Sequence, residues 1–146
     1  MAITDAQTAA LRAQLAGQPE EHKRLLGTLD PKTDSAGYAT LVAAAFFEAV
    51  ERRFGTTAPN QADVVEFVGD VRGRSEGIRE RFSARDAERM IMHVFGEGSA
   101  DDLSDKTVRD IQAIVTASII GDEQLSDAEL DSFMAEVRSV AERLVS

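Results

Sequence analysis

Apolar residues recur at helical spacing along almost the whole chain, and the alternation typical of strands is essentially absent. The clearest case comes last, where Ser126 and Glu129 stand at the spacing of a capping box in front of a long apolar stripe. The stripe consists of Leu130, Phe133, Met134, Val137, Val140, Ala141, Leu144 and Val145. This pattern predicts a helix from residue 126 to the C-terminus.

The same signals predict the other helices. Thr4 and Gln7 form a second capping-box pattern, and glycines such as Gly17 and Gly96 stand where helices are expected to stop. We expect helices over 4–16, 19–26, 35–54, 61–72, 83–95 and from 104 onward. We interpret 29–34 as a turn-rich connection and 73–77 as a flexible joint, because both are rich in turn residues.

The helix predicted over about 35–54 is apolar around most of its circumference. Its polar residues Thr40, Glu48, Glu51 and Arg52 crowd onto one narrow side. A helix of this kind is packed on several sides, so we place it at the centre. The sequence therefore predicts an all-α fold, a single-domain bundle of six or seven helices spanning 1–146.

Composition narrows the classes of function. The chain has no cysteine, which removes disulfides, thiolate catalysis and cysteine-ligated metals and favours a cytoplasmic location. The N-terminal stretch 1–17 lacks the apolar core of a secretory signal, and the longest apolar run, 41–47, is far shorter than a membrane span. Because the net charge is −10, we expect neither nucleic acid nor membrane as a partner.

Negative charge is concentrated in the acidic window, which we define as residues 97–131. It holds ten acids against Lys106 and Arg109, a net charge of −8 in 35 residues. Seven of these acids fall near the predicted helix starts at Ser104 and Ser126, where carboxylates are stabilised by the helix dipole. For an interaction surface that would meet a cationic protein partner, we single out Asp101, Asp102, Asp122 and Glu123.

A divalent-cation site is the alternative for the acidic window, with Asp122, Asp127 and Glu129 as its candidate ligands. The EF-hand pattern is not met, since Gln124 stands at the third position of a loop begun at Asp122 and Phe133 at the last. We predict neither a bound metal nor a cofactor.

Two resemblances accompany these patterns. Asp122-x-x-Leu125-Ser126-x-x-Glu129, after the apolar stretch 113–120, resembles the inter-helix signature of tellurite-resistance TerB-type helical domains. Glu123 stands where that family commonly has glycine, and most matching residues are cap residues, so the resemblance implies a helical domain and no site. The chain as a whole resembles actinobacterial helical proteins of unknown function, through residues 67–72, 87–91 and 127–131 with the helix that follows, about half of the chain. That resemblance also implies a helical domain and no particular chemistry.

Arginines are frequent over 72–89. Arg72, Arg74, Arg79, Arg81, Arg85 and Arg89 are interleaved with four acids, which leaves a net charge of only +2. A DNA-binding face is usually an uncompensated basic surface, so we predict ion pairs on solvated helix faces instead. Docking of this arginine stretch on the acidic window, of the same chain or of another copy, is a further arrangement that we leave open.

No catalytic constellation is visible. The chain has no nucleophile elbow, P-loop or dinucleotide-binding glycine pattern. Asp86, His93 and Glu97 fall near one face of the helix 83–95, and we interpret them as a polar face. The leading hypothesis is a non-catalytic interaction or regulatory protein that presents an acidic surface. A divalent-metal-binding helical domain is the alternative, an enzyme is third, and homo-oligomerisation stays open.

Overall fold

The computed structural model describes residues 2–145, which form eight helices and no strand. The helices are α1 (Asp5–Leu15), α2 (Pro19–Leu26), α3 (Pro31–Phe54), α4 (Gln61–Arg72), α5 (Glu76–Arg81), α6 (Ala84–Val94), α7 (Asp105–Glu123) and α8 (Asp127–Val145). The prediction of an all-α fold is confirmed. Met1 and Ser146, which the predicted domain includes, lie outside the described residues.

The capping chemistry read from the sequence is present at both ends of the chain. At α1, the Gln7 backbone N–H donates to Thr4 Oγ1 at 3.2 Å, and the Thr4 N–H donates to Gln7 Oε1 at 3.1 Å. At α8, the Glu129 N–H donates to Ser126 Oγ at 3.1 Å, and the Ser126 N–H donates to Glu129 Oε1 at 2.9 Å. Both predicted capping boxes are therefore confirmed.

Helix α3 begins earlier than predicted. The Asp30 side chain accepts a hydrogen bond from the Lys32 N–H at 2.9 Å, and Pro31 occupies the first helical turn, where its missing N–H costs nothing. The assignment of 29–34 as a connection is thus wrong from Pro31 onward. Aspartate followed by proline fits a turn and a helix start equally well, and here it starts the helix.

An eighth helix, one more than the sequence predicts, begins within the last two residues of the flexible joint predicted over 73–77. Gly73 ends α4, but Ser75 then caps the short helix α5 by accepting a hydrogen bond from the Ile78 N–H at 3.1 Å. Ile78 packs against the core. This helix has six residues, too few to show a helical repeat of apolar positions in the sequence.

Helix α3 lies at the centre of the bundle, as its apolar circumference predicts. It contacts α1, α6, α7 and α8. Leu41, Ala45, Ala49 and Val50 are fully buried along it. The small side chains of Ala45 and Ala49 let the neighbouring helices approach α3 closely.

Two polar contacts fix α1 and α2 beside α3. The Gln7 side chain is fully buried, and its Nε2 donates to Asp34 Oδ1 at 2.9 Å, which ties α1 to the first turns of α3. The His22 Nδ1 lies 2.6 Å from the Ala10 carbonyl oxygen and ties α2 to α1. A carbonyl oxygen only accepts hydrogen bonds, so Nδ1 carries the proton. These contacts hold α1 against α3 and α2 against α1.

Candidate functional site

The acids Asp122 and Glu123 lie in the last turn of α7, not at the start of α8 as the sequence suggested. The C-terminal end of a helix carries partial negative charge, so two carboxylates there are unfavourable without cations nearby. Both Nη atoms of Arg74 donate to the Asp122 carboxylate, at 3.0 and 2.8 Å. The Arg52 Nε lies 2.8 Å from both carboxylate oxygens of Glu123. Arginines of the same chain therefore compensate both charges.

Asp102 is also held by an arginine, whereas Asp101 is not. Arg89 on α6 donates two hydrogen bonds to the Asp102 carboxylate, and these bonds hold the pKa of Asp102 below its usual value. The Asp101 side chain makes no ion pair with residues 2–145. Three of the four predicted surface acids thus bind arginines of the same chain. Arg74 and Arg89 belong to the arginine stretch 72–89, so its docking on the acidic window of the same chain is the arrangement observed.

The candidate metal ligands are engaged separately. Asp122 binds Arg74, the Asp127 carboxylate lies 3.7 Å from Arg12, and Glu129 completes the capping box of α8. Within the part of the chain that the structure describes, no group of three or more histidines, cysteines, aspartates or glutamates is placed to hold a metal ion. The structure therefore offers no assembled site for the metal-binding alternative.

The residues considered for acid–base chemistry do not share a pocket. The His93 Nδ1 lies 3.1 Å from the Gly98 carbonyl oxygen, and the Asp86 carboxylate lies 3.7 Å from Arg89. Glu97 lines a cavity of about 280 Å³ whose lining includes neither His93 nor Asp86. Asp86 and His93 lie on α6, whereas Glu97 lies beyond its last residue, Val94, so the three residues do not form one helix face as we interpreted them.

A feature that we did not predict is an open groove enclosed by α1, α2, α3 and α7, with a volume of about 710 Å³. We call it the Arg109 groove. Its apolar lining consists of Leu26 from α2, Ala36, Ala39 and Val42 from α3, and Ala113 from α7. Because three of these five side chains are alanines, the helices leave a trough between them.

The polar lining of the Arg109 groove consists of a few groups that can bind a ligand. The Arg109 side chain is exposed and makes no hydrogen bond, ion pair or ring contact with any of residues 2–145. Burial raises the pKa of Tyr38 to about 12, so its hydroxyl remains protonated at neutral pH and can donate. The side chains of Gln14, Gln112 and Ser35 also line the groove, as does the ring of His22. The site therefore combines an apolar trough with one unpaired guanidinium.

The charge of the Arg109 groove sets it apart from four other grooves formed by residues 2–145. No aspartate or glutamate lines it, although the chain contains 26 acids. Carboxylates line each of the others: Glu88 and Glu97; Glu48, Glu51, Glu129 and Glu136; Glu20; and Asp30 and Asp34. The last of these is smaller and adjoins the Arg109 groove, with which it shares Leu26, Ser35 and Tyr38. Arg109 is the only lysine or arginine in its lining. An anion can therefore enter this groove without meeting a carboxylate of the lining.

Sequence patterns predict little of this groove. Its lining comes from four helices between residues 14 and 113, and the alanines on α3 look like ordinary core positions. Arg109 follows Asp105 by four residues, a spacing at which an ion pair is expected, yet the structure leaves Arg109 unpaired. The one usable signal was Tyr38, the only tyrosine of the chain, on the helix predicted to be central.

No helix within residues 2–145 combines the length and the apolar character needed to cross a membrane. We found no match to the chain among protein-family models, curated proteins or solved structures. The two resemblances noted in the sequence stay predictions, and the interpretation of the site depends on its own geometry.

Proposed function

We propose that the protein is a non-catalytic binding protein whose ligand occupies the Arg109 groove. The observation that carries this proposal is an apolar trough of about 710 Å³ beside an unpaired arginine. Ligand sites in proteins typically measure about 300–1,000 Å³ and pair apolar walls with a few polar groups, which is the arrangement here.

This proposal keeps the class of function inferred from the sequence, a non-catalytic interaction or regulatory protein, but assigns binding to a different surface. A cationic partner that docked at Asp102, Asp122 or Glu123 would have to displace an arginine that each already binds. The acidic surface, a protein partner and a cytoplasmic location stay predictions.

The proposal is tested with Nile red, an uncharged dye that fluoresces in apolar sites. Ala39 is exposed at the groove, so Ala39→Trp fills the trough without entering the core. Ala135 is an exposed alanine of α8 outside the groove, and Ala135→Trp is the matched control. We expect the wild type and Ala135→Trp to enhance Nile red fluorescence and Ala39→Trp to lose the enhancement, with all three equally helical by circular dichroism. Equal fluorescence of Ala39→Trp and the wild type would overturn the proposal, as would no enhancement by the wild type.

A further inference from the structure

We infer that the ligand of the Arg109 groove is a long-chain carboxylic acid, whose carboxylate binds Arg109 and whose hydrocarbon tail lies in the trough. This inference rests on the proposed function and adds the chemical class of the ligand.

The head group follows from the charge of the site. Arg109 carries an uncompensated positive charge, and no acid lines the groove. A guanidinium presents two parallel N–H donors that match the two oxygens of a carboxylate. The protonated Tyr38 hydroxyl lines the same groove and can donate as well. A phosphate monoester carries roughly 1.5–2 negative charges at neutral pH, more than one arginine neutralises in a chain of net charge −10.

The tail follows from the apolar lining. Leu26, Ala36, Ala39, Val42 and Ala113 offer no hydrogen-bonding side chains, so a ligand gains affinity there by removing hydrocarbon from water. Each buried methylene contributes about fourfold to the binding constant. Leu26 is 36% exposed and would be covered by such a tail.

A helix of a protein partner fits the groove less well. Helix-in-groove recognition uses apolar anchors spread over two turns or more, about 11 Å of helix, so it needs an elongated apolar surface. The other exposed large apolar residues, Phe47, Val65 and Leu144, do not line the groove. They therefore provide no continuation of the apolar surface for a longer helix.

Calorimetry with two soluble amphiphiles tests the head group. Dodecanoate and dodecyltrimethylammonium have the same tail and opposite charges, and both are used as monomers with the full chain. We expect dodecanoate to bind with one molecule per chain and the cationic amphiphile to bind at least roughly tenfold more weakly. We expect Arg109→Gln to weaken dodecanoate binding about tenfold.

Arg85 supplies the matched control, because it is also an exposed arginine without an ion pair or hydrogen bond and does not line the groove. Arg85→Gln should bind dodecanoate like the wild type.

Sedimentation with vesicles of phosphatidylcholine and phosphatidylserine separates a free acid from a membrane lipid. We expect no co-sedimentation, and co-sedimentation that Arg109→Gln abolishes would assign the groove to a membrane headgroup and overturn the inference.

The outcomes separate the inference from the proposed function. No dodecanoate binding, equal affinity for the two amphiphiles, or an unchanged affinity in Arg109→Gln would overturn the carboxylic-acid inference, while Nile red binding that Ala39→Trp abolishes would still support the groove. Binding of many dodecanoate molecules per chain would also overturn it, because that is detergent behaviour. If Ala39→Trp leaves both Nile red and dodecanoate binding intact, both the inference and the proposed function fail.

Discussion

The contact between α1 and α3 at Gly37 gives the sharpest prediction about the scaffold of the groove. A Cβ atom at Gly37 would lie 2.5 Å from the Ala2 carbonyl oxygen and 2.8 Å from Gln7 Nε2. Both distances are shorter than real Cβ contacts, so Gly37→Ala must push the N-terminal residues away from α3. Gly69 on α4 is the matched control, because a Cβ there would meet nothing within 4 Å.

The expected changes in unfolding free energy have opposite signs at Gly37 and Gly69. Replacing a helical glycine by alanine gains about 1 kcal/mol from backbone entropy, and Gly69→Ala should show this gain. At Gly37 the same gain is opposed by overpacking, about 1–3 kcal/mol, and by disturbance of the Gln7–Asp34 hydrogen bond at 2.9 Å, about 1 kcal/mol. We therefore expect Gly37→Ala to lose roughly 2 kcal/mol of unfolding free energy.

Urea unfolding followed by circular dichroism measures both changes. With a slope of about 2 kcal/mol per molar urea, the midpoint of Gly37→Ala should fall by about 1 M and that of Gly69→Ala should rise by about 0.5 M. If Gly37→Ala proves as stable as the wild type or more so, the close approach of α1 to α3 at Gly37 is refuted.

Three further predictions concern single side chains. Asp122→Asn should lower the unfolding free energy by about 1 kcal/mol, because Asp122 binds an arginine. Asp101, which has no ion pair, is the control, and Asp101→Asn should change the unfolding free energy by less than about 0.5 kcal/mol. Equal effects of the two substitutions in urea unfolding would contradict this prediction. The buried Thr116 Oγ1 has no hydrogen-bond partner among residues 2–145, so Thr116→Val should raise the unfolding free energy by about 1 kcal/mol. A lower unfolding free energy in the variant would mean that the hydroxyl is hydrogen-bonded in the wild type. Burial, reinforced by two neighbouring glutamates, raises the pKa of Glu48 above its ordinary 4.5, so its charge costs stability at neutral pH. Glu48→Gln should therefore have the higher melting temperature at pH 7, with the difference vanishing below about pH 4.5, and a difference that grows as the pH falls would contradict the assignment.

Local sequence signals predict much of the fold because helix starts are encoded within four residues. Thr4 with Gln7 and Ser126 with Glu129 form the capping boxes that their spacing suggests. The error at Pro31 arises because Asp-Pro is compatible with both a turn and a helix start. In the structure Asp30 caps the helix, and Gln7 binds Asp34 in its first turns.

The candidate site is much less predictable, because its contacts join residues far apart in the chain. Glu123 lies 71 residues from Arg52, and Asp122 lies 48 residues from Arg74, so no local pattern reveals that these acids are paired. The reverse holds for Arg109, whose local neighbours suggest an ion pair that the structure does not form. Charge counted along the sequence therefore predicted an acidic surface, whereas charge placed in space shows an unpaired arginine in a groove that no carboxylate lines.

The most direct test of the central claim is a map of amide chemical shifts, recorded by NMR on the labelled full chain during titration with dodecanoate. The groove predicts saturable shifts at Gln14, Ala39, Arg109 and Ala113, which line it on three helices, and none at Asp101 on the acidic surface. Shifts that cluster at Asp101, or that spread over the whole chain without saturating, would contradict the assignment of the Arg109 groove as the binding site.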